Sequence, residues 1–304
     1  MTAAFLFPGQ GVTNETASRA WYDRSSLVRA LVDHAATAAG TTPDRLLDVR
    51  PGALPPTEHL EPLHTALCLG ILEELARRGA RPDIVAGHSL GEIPACAAAG
   101  ACAPEDAVAL AAERGRLMVR EAKRRPGGML TLRSVPRETV DAALAFASDH
   151  GAIAVAAHNA PDQWVVSGEW GALRRMATRY PSQPLRVAGA WHSDVLADAV
   201  DEFRDACRRV LLGPLRVPLV SNRTGRVVGA ADDLCELLAS QFTHPVEWSR
   251  TMQSLAEFGA GDFVTVGPGR VLQGLIRLNL GDGVRIRGTD TPEELDRTAE
   301  ALSR

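Results

Sequence analysis

The chain of 304 residues is short of several things, and each shortage removes a class of explanation. Its five cysteines, Cys68, Cys96, Cys102, Cys207 and Cys235, are far apart, with no C-x-x-C pair. An odd, scattered set does not make a disulfide scaffold, so a reducing cytoplasm is expected. No His/Cys spacing of a metal site occurs. Nowhere do about 18 or more apolar residues run together, which argues against a membrane span. The first residues include Phe5-Leu6-Phe7 but no basic n-region, so no signal peptide is expected. Positive charge is not in excess: 33 Lys and Arg against 37 Asp and Glu give a net charge of -4. That balance argues against a general nucleic-acid partner. Lys123 is the single lysine, so nearly all positive charge is arginine.

What is present centres on Gly87-His88-Ser89-Leu90-Gly91. The string fits G-x-S-x-G. The apolar Ile84-Val85-Ala86 before it reads as a buried strand, and the Ala-rich stretch Glu92 to Ala99 after it as a helix. A serine on a sharp strand-to-helix turn exposes its hydroxyl, while the helix start supplies amide N–H groups to a developing oxyanion. A glycine-flanked serine is also an ordinary turn residue; the flanking strand and helix favour an acyl-transfer nucleophile.

Around this turn the sequence alternates strands and helices, which predicts a largely parallel sheet. Strands are expected at residues 3–7, 84–86, 217–220 and 263–266. Helices are expected over His64–Arg78, Pro104–Lys123, Asp194–Leu211, Ala231–Gln241 and Val246–Phe258, and much of residues 14–50 has helical period. Residues 126–190 differ. Met129–Arg133, a helix from Pro136 to Ser148, Ala152–Ala157, Trp164–Val166, a helix Glu169–Arg179 and Leu185–Val187 follow the β-α-β-β-α-β order of a split βαβ unit. The expected fold class is therefore α/β, with a ferredoxin-like small domain (126–190) inserted in a larger α/β domain (1–125 and 191–304).

A serine nucleophile needs a base. His192, in Trp191-His192-Ser193-Asp194 just after the small domain, is the best placed of eight histidines; His158 and His244 are weaker options. His88 adjoins Ser89 but points elsewhere in an elbow. The backbone N–H of Leu90 and that of Gln10, in Pro8-Gly9-Gln10-Gly11 after the first strand, are candidates for an oxyanion hole. Arg114, in Glu113-Arg114-Gly115-Arg116-Leu117-Met118, is a candidate for holding a substrate carboxylate through paired N–H···O bonds. A helical arginine is more usually a solvated, salt-bridging side chain. Gly267-Pro268-Gly269 with Gly274 has the wrong spacing for a dinucleotide loop and reads as a tight turn.

Taken in order, these segments resemble the malonyl-CoA:acyl-carrier-protein transacylase family, including the acyltransferases of polyketide synthases. The resemblance runs from Phe5 to about Leu275. It rests on Phe5 to Gly11, Gly87 to Glu92, Arg114-Gly115, Gly127-Gly128-Met129, Asn159-Ala160-Pro161, Val166-Ser167-Gly168, Ala190 to Ser193, Ser221-Asn222, Pro245-Val246 and Val266 to Gly269. It implies an α/β-hydrolase-like domain carrying the ferredoxin-like insert. Ser89 would take the acyl group from a CoA thioester, with His192 as base and then acid. A backbone carbonyl, falling at Gln241, would hold the other ring nitrogen. Arg114 would pair with a malonyl-type carboxylate, with Met118, Ile93 and Trp191 as further substrate-contacting residues. No tightly bound cofactor is implied: CoA thioester is substrate, and phosphopantetheine belongs to the partner acyl carrier protein. Arg120, Lys123, Arg124, Arg125, Arg174 and Arg175 could meet that partner's acidic surface.

The chain departs from the family at several places. Ile93 stands where tyrosine is frequent, Trp191 where malonyl-selective members often carry Phe, Val12-Thr13 where Ser-Gln is usual, and Thr243-His244 where an Asn is common. Ile93 and Trp191 put the acyl group in question. Two other readings stand beside transfer: a hydrolase clearing acyl carrier proteins on the same scaffold, and a non-catalytic carrier-binding protein.

Overall fold

A computed structural model describes residues 2–10, 15–48, 55–210, 213–230 and 232–303. Gly11, Val12, Thr13, Leu211 and Ala231, which enter the expectations above, lie outside them.

The first strand, β1 (Thr2–Phe7), is apolar at five of its six positions and buried from Ala3 onward. A continuous apolar run of this kind suits a strand covered on both faces. It sits mid-sheet between β2 (Ile84–Gly87) and a strand late in the chain, β9 (Ala260–Thr265), parallel to both. The small antiparallel sheet comprises β3 (Gly127–Arg133), β4 (Ile153–Ala160), β5 (Gln163–Glu169) and β6 (Gln183–Pro184), in the order β4-β5-β3-β6. The large sheet is completed by β7 (Leu219–Ser221), the short hairpin strand β8 (Arg226–Val227) and β10 (Arg285–Arg287), in the order β10-β9-β1-β2-β7-β8. All its pairings are parallel except β7 with β8.

Helices cover the large sheet. The longest, Thr57–Arg77 and Pro104–Arg124, pack against each other and against Ser26–Ala38. Close approach requires glycine at Gly70, where a Cβ would meet the Val28 backbone. The Pro104–Arg124 helix starts with Pro and two acids and ends with Lys123 and Arg124, the charge order that its dipole favours. The small domain has its own core, including Leu132, Val140, Trp164, Val166, Leu173 and Met176.

Several expected elements differ: the helix expected from His64 begins at Thr57, the one expected over 231–241 spans Leu234–Ser240, and two more change in kind or place. The Asp194–Leu211 segment is a 3-10 stretch, Asp194–Ala199, followed by the α-helix Val200–Arg209. The last strand of the small domain is Gln183–Pro184, not Leu185–Val187. Leu185 and Val187 instead face the space between the two sheets.

The sheets are tied together along that space. Ala157 on β4 bridges Val246 of the large domain, through N–H···O bonds from Val246 to Ala156 and from His158 to Val246, both 2.9 Å. Across the seam, Arg125 donates to Glu169 at 3.0 Å and to the Asp194 carbonyl at 3.0 Å. The cleft is therefore braced on both sides.

Candidate active site

The chain turns sharply after β2. Ser89 has a φ of 53, in the left-handed region that costs a non-glycine residue about 1–3 kcal/mol. The flanking glycines make the turn possible: a Cβ on Gly87 would collide with the Gly91 carbonyl, and one on Gly91 with the carbonyl of Phe7. The 3-10 turn Ser89–Gly91 then runs into the helix Glu92–Ala98. Ser89 is left at the C-terminal end of a central strand, facing the cleft.

His192 meets it there. Ser89 Oγ lies 2.7 Å from His192 Nε2, and His192 Nδ1 lies 2.8 Å from the Gln241 carbonyl. A carbonyl only accepts, so Nδ1 carries the proton, and Nε2 is the lone pair that accepts from the serine hydroxyl. His192 also has a positive φ, 58. Burial, and then the charge of Arg114, lower its pKa to about 3, so the imidazole is neutral at neutral pH.

Behind the pair is a buried polar network. Arg114, 2% exposed, forms an ion pair with Glu61 through Nη1. Its Nη2 donates to Gln241 Oε1 at 2.8 Å and lies 3.5 Å from Ser89 Oγ. The guanidinium carbon sits 5.6 Å from the centre of the Phe242 ring. Gln241 Nε2 donates to Glu92 Oε2 at 2.7 Å, and the other Glu92 oxygen accepts from the Asn222 amide at 2.8 Å. Asn222 Nδ2 in turn donates to the Gly87 carbonyl at 2.8 Å. Burial raises Glu92 to about 7. Glu61 is also raised, by burial working against the nearby Arg114 charge.

In front of the pair is a cavity of about 280 Å³. Gln10, His88, Ser89, Trp191 and His192 form its inner end, and Met129, Thr131, Val165, Leu185 and Val187 of the small domain roof it. Leu272 and Leu275, on the helix Val271–Leu280, close a side. The Pro8-Gly9-Gln10 loop is held at the inner end by His64 Nε2–H, which donates to the Pro8 carbonyl at 2.9 Å.

The structure thus brings Ser89, His192, the Gln241 carbonyl and Arg114 together, with Leu90 following the serine and Gln10 at the same end of the cavity. Trp191 lines the cavity, but the far edge of its ring lies over Gly189, where a Cβ would come within 2.5 Å of it. Ile93 and Met118 do not line it: both point inward from their helices and are buried at 2% and 1%. Arg114 is not a free clamp, because Glu61 and Gln241 occupy both arms of its fork. Of the other histidines, His158 stacks on Trp164 at 3.8 Å and His244 turns to the Ser240 carbonyl at 2.9 Å, so neither approaches Ser89. His88 donates to Asn159 Oδ1 at 2.8 Å, away from the serine hydroxyl. Much of the expected basic patch is paired within the chain: Arg120 with Glu121 and Glu202, Arg124 with Glu121 and Asp198, and Arg125 with Glu169. Glu61 belongs to this network and is not singled out by the sequence, while Glu92 and Asn222 enter there only as landmarks of the resemblance, with no role.

A family model described as "Acyl transferase domain" matches residues 4–284. The chain belongs to that family. This acyltransferase is 34% identical over 309 residues to the malonyl CoA-acyl carrier protein transacylase of Mycobacterium tuberculosis, covering 97% of this chain and 99% of the relative. Among solved structures, the malonyl CoA-acyl carrier protein transacylase of Clostridium perfringens superposes with a TM-score of 0.90 at 27% identity, over 100% of this chain and 98% of that one. A malonyl-transacylase solved in complex with a type II polyketide synthase acyl-carrier protein superposes with a TM-score of 0.91 at 25% identity, over 99% and 100% of the two chains. The fold of the acyltransferase is accordingly α/β-hydrolase-like with a small subdomain. Among the described residues, no group of three or more His, Cys, Asp or Glu could hold a metal ion, and no helix is long and apolar enough to cross a membrane.

Proposed function

We propose that this acyltransferase moves a malonyl-type acyl group from CoA to the phosphopantetheine thiol of an acyl carrier protein, through an ester on Ser89. The observation that carries the reading is the relay from Ser89 Oγ through His192 to the Gln241 carbonyl at the inner end of the cleft.

His192 Nε2 takes the proton of Ser89 as Oγ attacks the thioester carbonyl. The negative charge on the carbonyl oxygen is held by the amides of Leu90 and Gln10. Collapse breaks the C–S bond, and the imidazolium gives its proton to the departing CoA sulfur. A base with a pKa near 3 becomes a strong acid once charged, which suits that proton delivery. The carrier thiol then enters by the same channel. His192 takes its proton, the sulfur attacks the ester, and the proton returns to Ser89. Five free cysteines and CoA as donor support a cytoplasmic enzyme.

The test is intact mass after mixing the protein with malonyl-, methylmalonyl-, acetyl- and longer acyl-CoAs. The expected result is a malonyl ester on Ser89 that a carrier thiol discharges. CoA release without an adduct would replace transfer by hydrolysis. An adduct only from uncharged donors would overturn the malonyl assignment, and neither adduct nor release would overturn the enzyme.

A further inference from the structure

Arg114 is the cation that a malonyl carboxylate would seek, and the chain has already supplied it with one. Glu61 is fully buried on the helix Thr57–Arg77 and is ion-paired to Arg114 Nη1. The second guanidinium nitrogen is held by Gln241 Oε1 at 2.8 Å. Glu61 Oε2 is buried and has no hydrogen-bond partner. Native structures leave few such oxygens unmatched. The guanidinium that Glu61 pairs with lies 3.5 Å from Ser89 Oγ through its other terminal nitrogen.

We infer that Glu61 sets the acyl-group selectivity of the site, acting through Arg114 by neutralising its charge from within the chain. This rests on the proposed acyl transfer and names the feature of the acyl group that the site weighs. Arg114 and Glu61 sum to zero charge. An acyl group without a charge leaves that sum alone. A malonyl group brings a second carboxylate to one guanidinium, in a site screened from water, where like charges repel strongly. Among the described residues no second cation pairs with Glu61, and Arg133 lines the cavity from the small sheet, apart from the buried pair. His192 is neutral, and Glu92, beyond Gln241, supplies no positive charge. A malonyl carboxylate therefore gains from Arg114 only what it takes from Glu61. A site with that arrangement discriminates less between charged and uncharged acyl groups than its arginine alone would.

The measurement is kcat/KM for acylation of Ser89 by malonyl-CoA and by acetyl-CoA, in the unaltered chain and in Glu61→Gln. Glutamine keeps the shape and a hydrogen-bond acceptor for Arg114 but removes the charge. The malonyl-to-acetyl ratio is expected to rise by about tenfold or more. Glu61→Asp, which keeps the charge, is expected to leave the ratio close to that of the unaltered chain. A ratio unmoved or lowered by glutamine overturns the inference, and a general loss of turnover cancels in the ratio. Should Glu61→Gln not fold, the unaltered chain still decides. Malonamyl-CoA, whose terminal amide replaces the carboxylate without its charge, is expected to load within about tenfold of malonyl-CoA. A larger preference for malonyl-CoA overturns the inference. If no variant forms a malonyl ester, the malonyl reading itself fails, which is distinct from an ester that forms with an unmoved ratio.

Discussion

The two walls of the cleft are built on opposite rules. The wall on the large parallel sheet carries Ser89, His192, Arg114, Glu61, Glu92 and Gln241, linked by hydrogen bonds and ion pairs. The roof from the small domain carries Met129, Val165, Leu185 and Val187, with Thr131, Arg133 and Gln163 beside them. Most buried polar groups on the first wall have a geometry fixed by their partners, so a change there propagates. The apolar groups on the second contribute area, and area is lost in proportion to what is removed. Chemistry and volume are thus assigned to different parts of the chain, and substitutions should separate them.

The comparison breaks most visibly at Ser89. Ser89→Ala should lower turnover by about 10⁴–10⁶ while leaving the fold and CoA binding in place. Retention of most activity, measured as acyl transfer to a carrier thiol, would move the nucleophile elsewhere. Glu92 gives an intermediate effect. Its folded-state pKa is raised to about 7 from 4.5 in the unfolded chain. The native state therefore holds a proton that the unfolded chain has lost between those values. Stability from this group is complete below about pH 4.5 and declines as pH rises through about 7, by about 3 kcal/mol in all. Urea midpoints against pH should show this decline in the unaltered chain and not in Glu92→Gln; parallel curves would show that Glu92 titrates normally. The smallest effect is expected on the roof. Leu185→Ala removes a side chain that is 39% exposed and should cost about 1 kcal/mol of substrate binding, roughly fivefold in KM. A fall of more than about a hundredfold in kcat would mean that the roof takes part in the chemistry.

How far the sequence reveals this site depends on how local each signal is. The elbow is legible because its requirements are local: two glycines for close approach, a strand before and a helix after. His192 is legible as a polar residue stranded at a domain seam. Gln241 contributes a backbone carbonyl, which any residue possesses, so only the family resemblance points to it. Glu61 is opaque for another reason. The helix expected from His64 begins at Thr57, so Glu61 lies outside the expected element, and its Arg114 contact spans 53 residues. The signal available was its setting, between Leu60 and Pro62-Leu63 in a helix that is apolar nearly all round. The edge strand β10 shows the same limit. Arg285 and Arg287 pair with Asp262 on β9, so a polar strand is held by ion pairs that carry no hydrophobic period. Leu185–Val187 keeps one bond to β3, from Leu185 N–H to the Met129 carbonyl at 2.9 Å, but Val187 N–H turns back to the Leu185 carbonyl at 3.0 Å, so the ladder stops there.

Ser89 and His192 share an uncommon property: both sit at positive φ, and neither is glycine. At Ser89, a small side chain, selection for expression or heat resistance would favour glycine, relieving the backbone while abolishing the relay. At His192 the buried imidazole fills space and holds the Gln241 carbonyl, so its loss costs what the backbone gains. A library screened only for soluble yield would drift toward dead enzymes at the serine codon.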